Sequence, residues 1–349
     1  MPPVKVLVVD DSALMRLLIS KMLGKYPFIQ VIGTAVNGSD ALNKITILSP
    51  DVVTLDVEMP VMDGLSALQR IMRDSPLPVI MFSTLTSEGT KATIEALALG
   101  AFDFVAKPSS SAALEPMVAE LARKIETAAA VPMHRVIRRP LATRAAFPVV
   151  APETRLRGKT RLVVIGTSTG GPGALHTVIP SLPGDFPAAV VIVQHIPVGF
   201  SKPLAEHLAR RSQIPVRHAE SGDQVAPGQV LVAPAGYDLT FRGRAGSAEV
   251  VLDRGSGPVP PGGFRPSVDG VMRSAASVFG EAVLGVLMTG MGRDGALGMK
   301  EIKQKNGRTI AEAESTCVVF GMPRAAIELG AADRVVPLPQ IVSEIIAML

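Results

Sequence analysis

The chain has 349 residues, 47% hydrophobic and 19% charged, which is the make-up of a packed globular protein long enough for two cores and not of a disordered one. A single cysteine, Cys317, excludes an intrachain disulfide framework or cysteine-based metal cluster. No apolar run is long enough to cross a bilayer, and the first residues lack a secretory signal, so a cytoplasmic location is expected. The net charge of +4 is uneven: residues 131–161 hold eight Lys/Arg against one acid, which leaves the rest slightly acidic, so the excess reads as a solvated tether or as a patch for an acidic partner surface.

In chain order, residues 4–9 form an apolar strand, followed over 12–23 by apolar residues at helical spacing (Leu14, Leu17, Leu18, Met22). Further strand-like runs at 30–36, 52–55, 79–82 and 102–105 alternate with helical stretches. This predicts a doubly wound parallel sheet over 3–125. From 126 to 158 Ala, Pro and Arg dominate, with Pro132, Pro140, Pro148 and Pro152 as breakers, and this segment reads as a basic linker. A second α/β unit is expected over 159–349. Its strands lie at 161–165, 189–193, 229–233, 249–252 and 283–288, and a small antiparallel hairpin spans 237–252 around a Gly-rich turn.

Polar residues collect at the strand ends of the first unit. Asp10 and Asp11 follow the first strand, Asp56 the third and Lys107 the fifth, all on the sheet edge where open α/β folds bind ligands. Crowded carboxylates call for a cation, and oxygen ligands with water suit Mg²⁺. A carboxylate beside that ion is placed to attack a phosphoryl group, with Lys107 as a fixed positive charge; the Lys107–Pro108 bond is a candidate cis peptide. The Asp10-Asp11 pair, Asp56 in Leu-Asp-Val-Glu-Met-Pro, Ser83 ending Val-Ile-Met-Phe-Ser and Lys107-Pro108 resemble the flavodoxin-like receiver domain of response regulators. The resemblance implies phosphorylation of Asp56 by a histidine kinase and a metal site of Asp10, Asp11, Asp56 and the Glu58 carbonyl. It also implies a phosphoryl contact from Ser83 and a switch aromatic at Phe104.

In the second unit, a strand runs into Gly166-Thr167-Ser168-Thr169-Gly170-Gly171-Pro172-Gly173 and then a helical pattern. On the loop alone, Ser168 reads equally as a nucleophile, part of a phosphate cradle or a helix cap. Two other strand ends favour the first. Residues 189–194 end in His195, and 283–288 lead into Thr289-Gly290-Met291-Gly292-Arg293-Asp294. A serine hydroxyl needs a base, and an imidazole serves once a carboxylate holds its tautomer, so Ser168, His195 and Asp294 form a candidate triad. Backbone amides of Thr169 and Met291 are the candidate oxyanion hole.

Gly-Thr-Ser-Thr-Gly-Gly-Pro, Gln-His-Ile-Pro, Met-Thr-Gly-Met-Gly-Arg-Asp-Gly-Ala, residues 264–269 and residues 321–325 closely resemble the chemotaxis protein-glutamate methylesterases. The resemblance implies hydrolysis of glutamate γ-methyl esters, and deamidation of certain glutamines, on methyl-accepting chemotaxis receptors. It implies no cofactor for hydrolysis, Mg²⁺ for the receiver, a chemotaxis histidine kinase as phosphodonor and an unmodified receiver that hinders access. A DNA-binding regulator, a receptor-binding adaptor without turnover and a nucleotide-dependent oxidoreductase are the competing readings; no basic recognition helix supports the first.

Overall fold

The computed structural model describes residues 2–108, 110–136, 162–255 and 263–349, and the chain divides into two compact units, residues 1–138 and 139–349. In the first, β1 (Val4–Val9), α1 (Ala13–Leu23), β2 (Ile29–Ala35), α2 (Gly38–Leu48), β3 (Val52–Asp56), α3 (Gly64–Asp74), β4 (Val79–Ser83), α4 (Ser87–Ala98), β5 (Asp103–Ala106) and α5 (Leu114–Ala130) alternate along the chain. The sheet order β2-β1-β3-β4-β5 is parallel at every pairing. Strands covered on both faces must be apolar throughout. Accordingly Val6, Leu7, Val8, Val52, Val53, Leu55, Val79, Ile80 and Met81 are fully buried.

α5 runs on through Ala130, and a short turn, α6 (Met133–Val136), follows. Residues 126–130, which composition assigns to the linker, are therefore helical. Their physical reason is burial: Ile125 and Ala128 continue the packed face begun by Val118 and Leu121. Residues 137–158 of the expected linker lie outside the described residues.

The second unit holds β6 (Leu162–Thr167), α7 (Gly171–Val178), β7 (Ala189–Gln194), α8 (Ser201–Ala209), β8 (Val216–His218), β9 (Val230–Val232), β10 (Asp238–Arg242), β11 (Glu249–Asp253), α9 (Val268–Phe279), β12 (Val283–Leu287), α10 (Ala296–Gln304), β13 (Arg308–Glu312), α11 (Met322–Glu328), β14 (Arg334–Val336) and α12 (Ile341–Ala347). Seven strands form a parallel sheet in the order β14-β13-β12-β6-β7-β9-β8, and β10 pairs β11 as the expected antiparallel hairpin. From β6 the chain builds outward through β7 on one side, then returns to lay β12 on the other. The strand order therefore reverses between β6 and β12, and the crevice above such a reversal is where doubly wound sheets place their sites. Among the described residues no helix is long and apolar enough to cross a membrane.

Candidate active site and phosphorylation site

β6, β7 and β12 deliver Ser168, His195 and the 289–294 loop to one edge. Register makes them neighbours: Thr167 lies opposite Gln194 and Gly166 opposite Leu287. The ladder continues past the strand ends, with His195 N–H donating to the Thr167 carbonyl and Ser168 N–H to the Thr289 carbonyl, both at 3.0 Å. Ser168 is buried, and a side chain at Gly290 would stand 2.8 Å from its Cβ, so the 289–294 loop passes directly against the serine.

The His195 Nε2 donates to Asp294 Oδ2 at 2.8 Å. Asp294 also sits at the N-terminus of α9. Its Oδ1 accepts from the Ser267 hydroxyl (2.8 Å) and the amides of Asp269 (2.9 Å) and Gly295 (3.1 Å), and its Oδ2 from the Val268 amide (2.7 Å). Burial alone would raise the pKa of this carboxyl. The bonds from His195 and the helix amides overcome it and hold the group down at about 2. Asp294 is thus a fixed anion that commits Nε2 to its N–H form and leaves Nδ1 as the ring nitrogen able to take a proton. Among the described residues the Ser168 hydroxyl makes no hydrogen bond to the imidazole; such contacts often tighten only with substrate bound.

Asp269 returns the arrangement. Its Oδ1 accepts from the amides of Gly295 (2.9 Å) and Gly298 (2.6 Å) at the start of α10, and burial raises its pKa, with the charge of Asp294 adding to it. The helix that carries Asp269 is capped by Asp294, and the loop that carries Asp294 is held by Asp269. Phe264 lies flat on the His195 imidazole, with ring centroids 4.3 Å apart and planes 7° from parallel.

The Gly290 carbonyl accepts from the amides of Gly321 (3.0 Å) and Met322 (2.9 Å). Since N–H and C=O oppose each other across a trans peptide, the Met291 amide is aimed away from α11. Beneath the loop, fully buried Glu312 at the end of β13 accepts the Thr289 amide at 2.8 Å.

In the first unit, carboxylate oxygens of Asp10, Asp11 and Asp56 all lie within 4.8 Å of one another. Lys107 Nζ stands 2.6 Å from Asp56 Oδ2 and 3.1 Å from Asp10 Oδ2. It reaches them across a trans peptide: among the described residues Arg265–Pro266 is the cis bond, and the expectation for Lys107–Pro108 is corrected. Burial pushes the Asp56 pKa up to about 6, against the opposing pull of Lys107. Asp56 Oδ1 is buried without a hydrogen-bond partner, a donor atom that a hard divalent cation would satisfy. The residues present fit Mg²⁺, which Asp10, Asp11 and Asp56 would hold. Glu58 is exposed at the rim, where its Oε1 accepts from the Thr84 and Thr86 hydroxyls. Ser83 is buried; its hydroxyl accepts from Thr93 (2.6 Å) and contacts the Gly89 carbonyl at 3.2 Å. Phe104 is buried, with Lys124 Nζ 5.5 Å from its ring centroid.

Family models match both units: the response regulator receiver domain over residues 6–119 and the CheB methylesterase over residues 163–345. The chain belongs to the CheB methylesterase family. A protein-glutamate methylesterase/protein-glutamine glutaminase 1 of Carboxydothermus hydrogenoformans is 49% identical over 347 residues, 98% of each chain. A relative with the corresponding name from Pyrococcus horikoshii is 45% identical, covering 97% of this chain and 91% of its own. The crystal structure of the Thermotoga maritima CheB methylesterase catalytic domain matches at 42% identity and TM-score 0.52, covering 54% of this chain and 99% of that one.

Within this methylesterase fold, sequence reasoning missed Phe264, Ser267 and Asp269, although their motif was noted. The usable signal was Ser267 standing just before a helical pattern, which marks a cap. Nothing local announced that the carboxylate it meets would come from a loop 27 residues later.

Proposed function

We propose that this methylesterase hydrolyses glutamate γ-methyl esters through Ser168, His195 and Asp294, and deamidates glutamine side chains at the same site. The observation that carries the reading is the His195 Nε2–Asp294 Oδ2 bond at 2.8 Å, with Ser168 on the adjoining strand end. Ser168 Oγ attacks the side-chain carbonyl carbon and its proton passes to His195 Nδ1. The carbonyl oxygen becomes an oxyanion, met by the amides of Thr169 and Met291. Collapse breaks the bond to methoxide or amide nitrogen, and Nδ1 returns its proton to the leaving methanol or ammonia. Water then attacks the acyl-enzyme with Nδ1 as base, which releases glutamate and restores the hydroxyl. The Asp294 anion supports the imidazolium in both halves without taking its proton.

Asp56 is the phosphoacceptor. A bound Mg²⁺ would neutralise charge on the incoming phosphoryl group; Lys107 holds the Asp56 carboxylate, Ser83 would bond the phosphoryl oxygen, and Phe104 is the aromatic that would turn with the switch. The Glu58 carbonyl completes the metal set. The partners follow from these two chemistries: a chemotaxis histidine kinase as phosphodonor and methyl-accepting chemotaxis receptors as substrate, reached from the cytoplasm, with no nucleic-acid role. The test is methanol release from methylated receptor membranes. Ser168→Ala abolishes it while leaving the thermal unfolding profile unchanged; near-normal turnover by that variant refutes the serine mechanism.

A further inference from the structure

Gln194 ends β7, immediately before His195, and is 4% exposed. A primary amide offers one acceptor oxygen and two N–H donors. Here Oε1 accepts from the Thr167 hydroxyl at 2.5 Å, while Nε2 donates to the Ser168 carbonyl at 2.9 Å and to the His195 carbonyl at 2.8 Å. Carbonyl oxygens only accept, so turning the amide over would set Oε1 against both of them. One buried side chain therefore grips the backbone of the nucleophile and of the base together. The next helix leaves room for it. A Cβ on Gly171, the first residue of α7, would stand 2.1 Å from Gln194 Oε1.

The grip has a direction. The Ser168 carbonyl is held by Gln194 Nε2 and by the Gly171 amide at 2.8 Å. Across a trans peptide the following N–H points the opposite way, so the Thr169 amide is turned away from Gln194. The Thr169 carbonyl is in turn fixed by the Thr289 hydroxyl at 2.9 Å.

We propose that Gln194 is a positioning residue: it locks the Ser168–Thr169 peptide so that the Thr169 amide meets the developing oxyanion. It also ties that peptide to the base at one spacing. The proposal rests on the triad reading above.

The test uses the full chain and methanol release from methylated receptor membranes. Gln194→Met keeps the length and removes all three bonds. The expected result is a kcat about a hundredfold lower with KM within about twofold, because the aimed amide acts on the transition state alone. Thr167→Val, which leaves Gln194 in place but takes away the hydroxyl at its Oε1, lowers kcat about tenfold, and Thr167→Ser restores it. A folded Gln194→Met with kcat within threefold of wild type overturns the proposal, as does a fall in kcat matched by a rise in KM. If Gln194→Met does not fold, the Thr167 pair decides: loss in Val with recovery in Ser supports the role, and equal rates in the two overturn it. Ser168→Ala separates the two readings. An inactive Ser168→Ala beside fully active Gln194 and Thr167 variants removes only the positioning role, whereas an active Ser168→Ala removes the triad and this inference with it.

Discussion

Asp294→Asn isolates the electrostatic work of the carboxylate with almost no change of shape. Five donors converge on the native group, two on Oδ2 and three on Oδ1. An asparagine Nδ2 at the Oδ1 position would face two backbone amides that cannot turn. At the Oδ2 position it faces one, the Val268 N–H, and the imidazole, which can change tautomer. The second arrangement is therefore favoured. Leaving one buried amide unsatisfied costs about 1–3 kcal/mol. The native carboxyl, held at about 2 against an unperturbed 3.8, contributes about 2 kcal/mol at neutral pH that the amide cannot. The expected loss of stability is about 3–5 kcal/mol. The catalytic effect is larger. Nε2 becomes an acceptor and Nδ1 carries the proton, so the nitrogen that should take the serine proton is already occupied. An imidazole held in the wrong tautomer loses about 10⁴-fold in kcat, about 5.5 kcal/mol of barrier. Initial rates of methanol release give kcat, and ¹⁵N spectra of histidine-labelled protein, with only five histidines, give the tautomer directly. A variant within tenfold of wild-type kcat, or one whose His195 still carries its proton on Nε2, would refute the reasoning.

The same carboxyl sets an acid limit. Because its folded pKa is depressed, its contribution is complete above about pH 5 and fades as pH falls toward 2; urea unfolding over that window should lose stability less steeply in Asp294→Asn than in wild type, and equal slopes would contradict the assignment. Phe264→Ala removes one face of the stack on His195, worth about 0.5–1.5 kcal/mol, so kcat should fall up to about tenfold and recover in Phe264→Tyr; unchanged kcat in the alanine variant would show that the stack does not hold the base. Asp56→Asn should reduce the ratio of rates with and without acetyl phosphate to one, and a persistent response would place the phosphosite elsewhere.

Much of this arrangement was legible in the chain. Parallel strands buried on both faces read as apolar runs, and a polar residue directly after such a run falls on the functional edge of the sheet. That rule located Asp10, Asp56, Lys107, Ser168 and His195. It worked less well for Asp294, which lies seven residues past the end of β12 and was legible mainly through its glycine-rich surroundings. Strand β13 was invisible to the same rule. Its sequence, Arg308-Thr309-Ile310-Ala311-Glu312, carries buried polar groups that only tertiary partners satisfy: Thr309 bonds Asp333 and the Ala331 carbonyl, and Glu312 takes the Thr289 amide. Strand β8, three residues with His218 at its end, is too short to show a period. Gln194 was readable only as the last residue before His195. Its three hydrogen bonds depend on the register of β6 with β7, which no local pattern specifies.

Covalent labelling by a phosphonofluoridate tests the central claim most directly, because the reagent needs a serine activated by its base and an oxyanion site. Labelled enzyme is digested, the modified peptide identified by mass, and methanol release measured on the same samples. The expected result is one label per chain on Ser168, with turnover lost in step with labelling and both reactions suppressed in Asp294→Asn. Loss of turnover with Ser168 unmodified, or full modification of Ser168 with turnover intact, would contradict it.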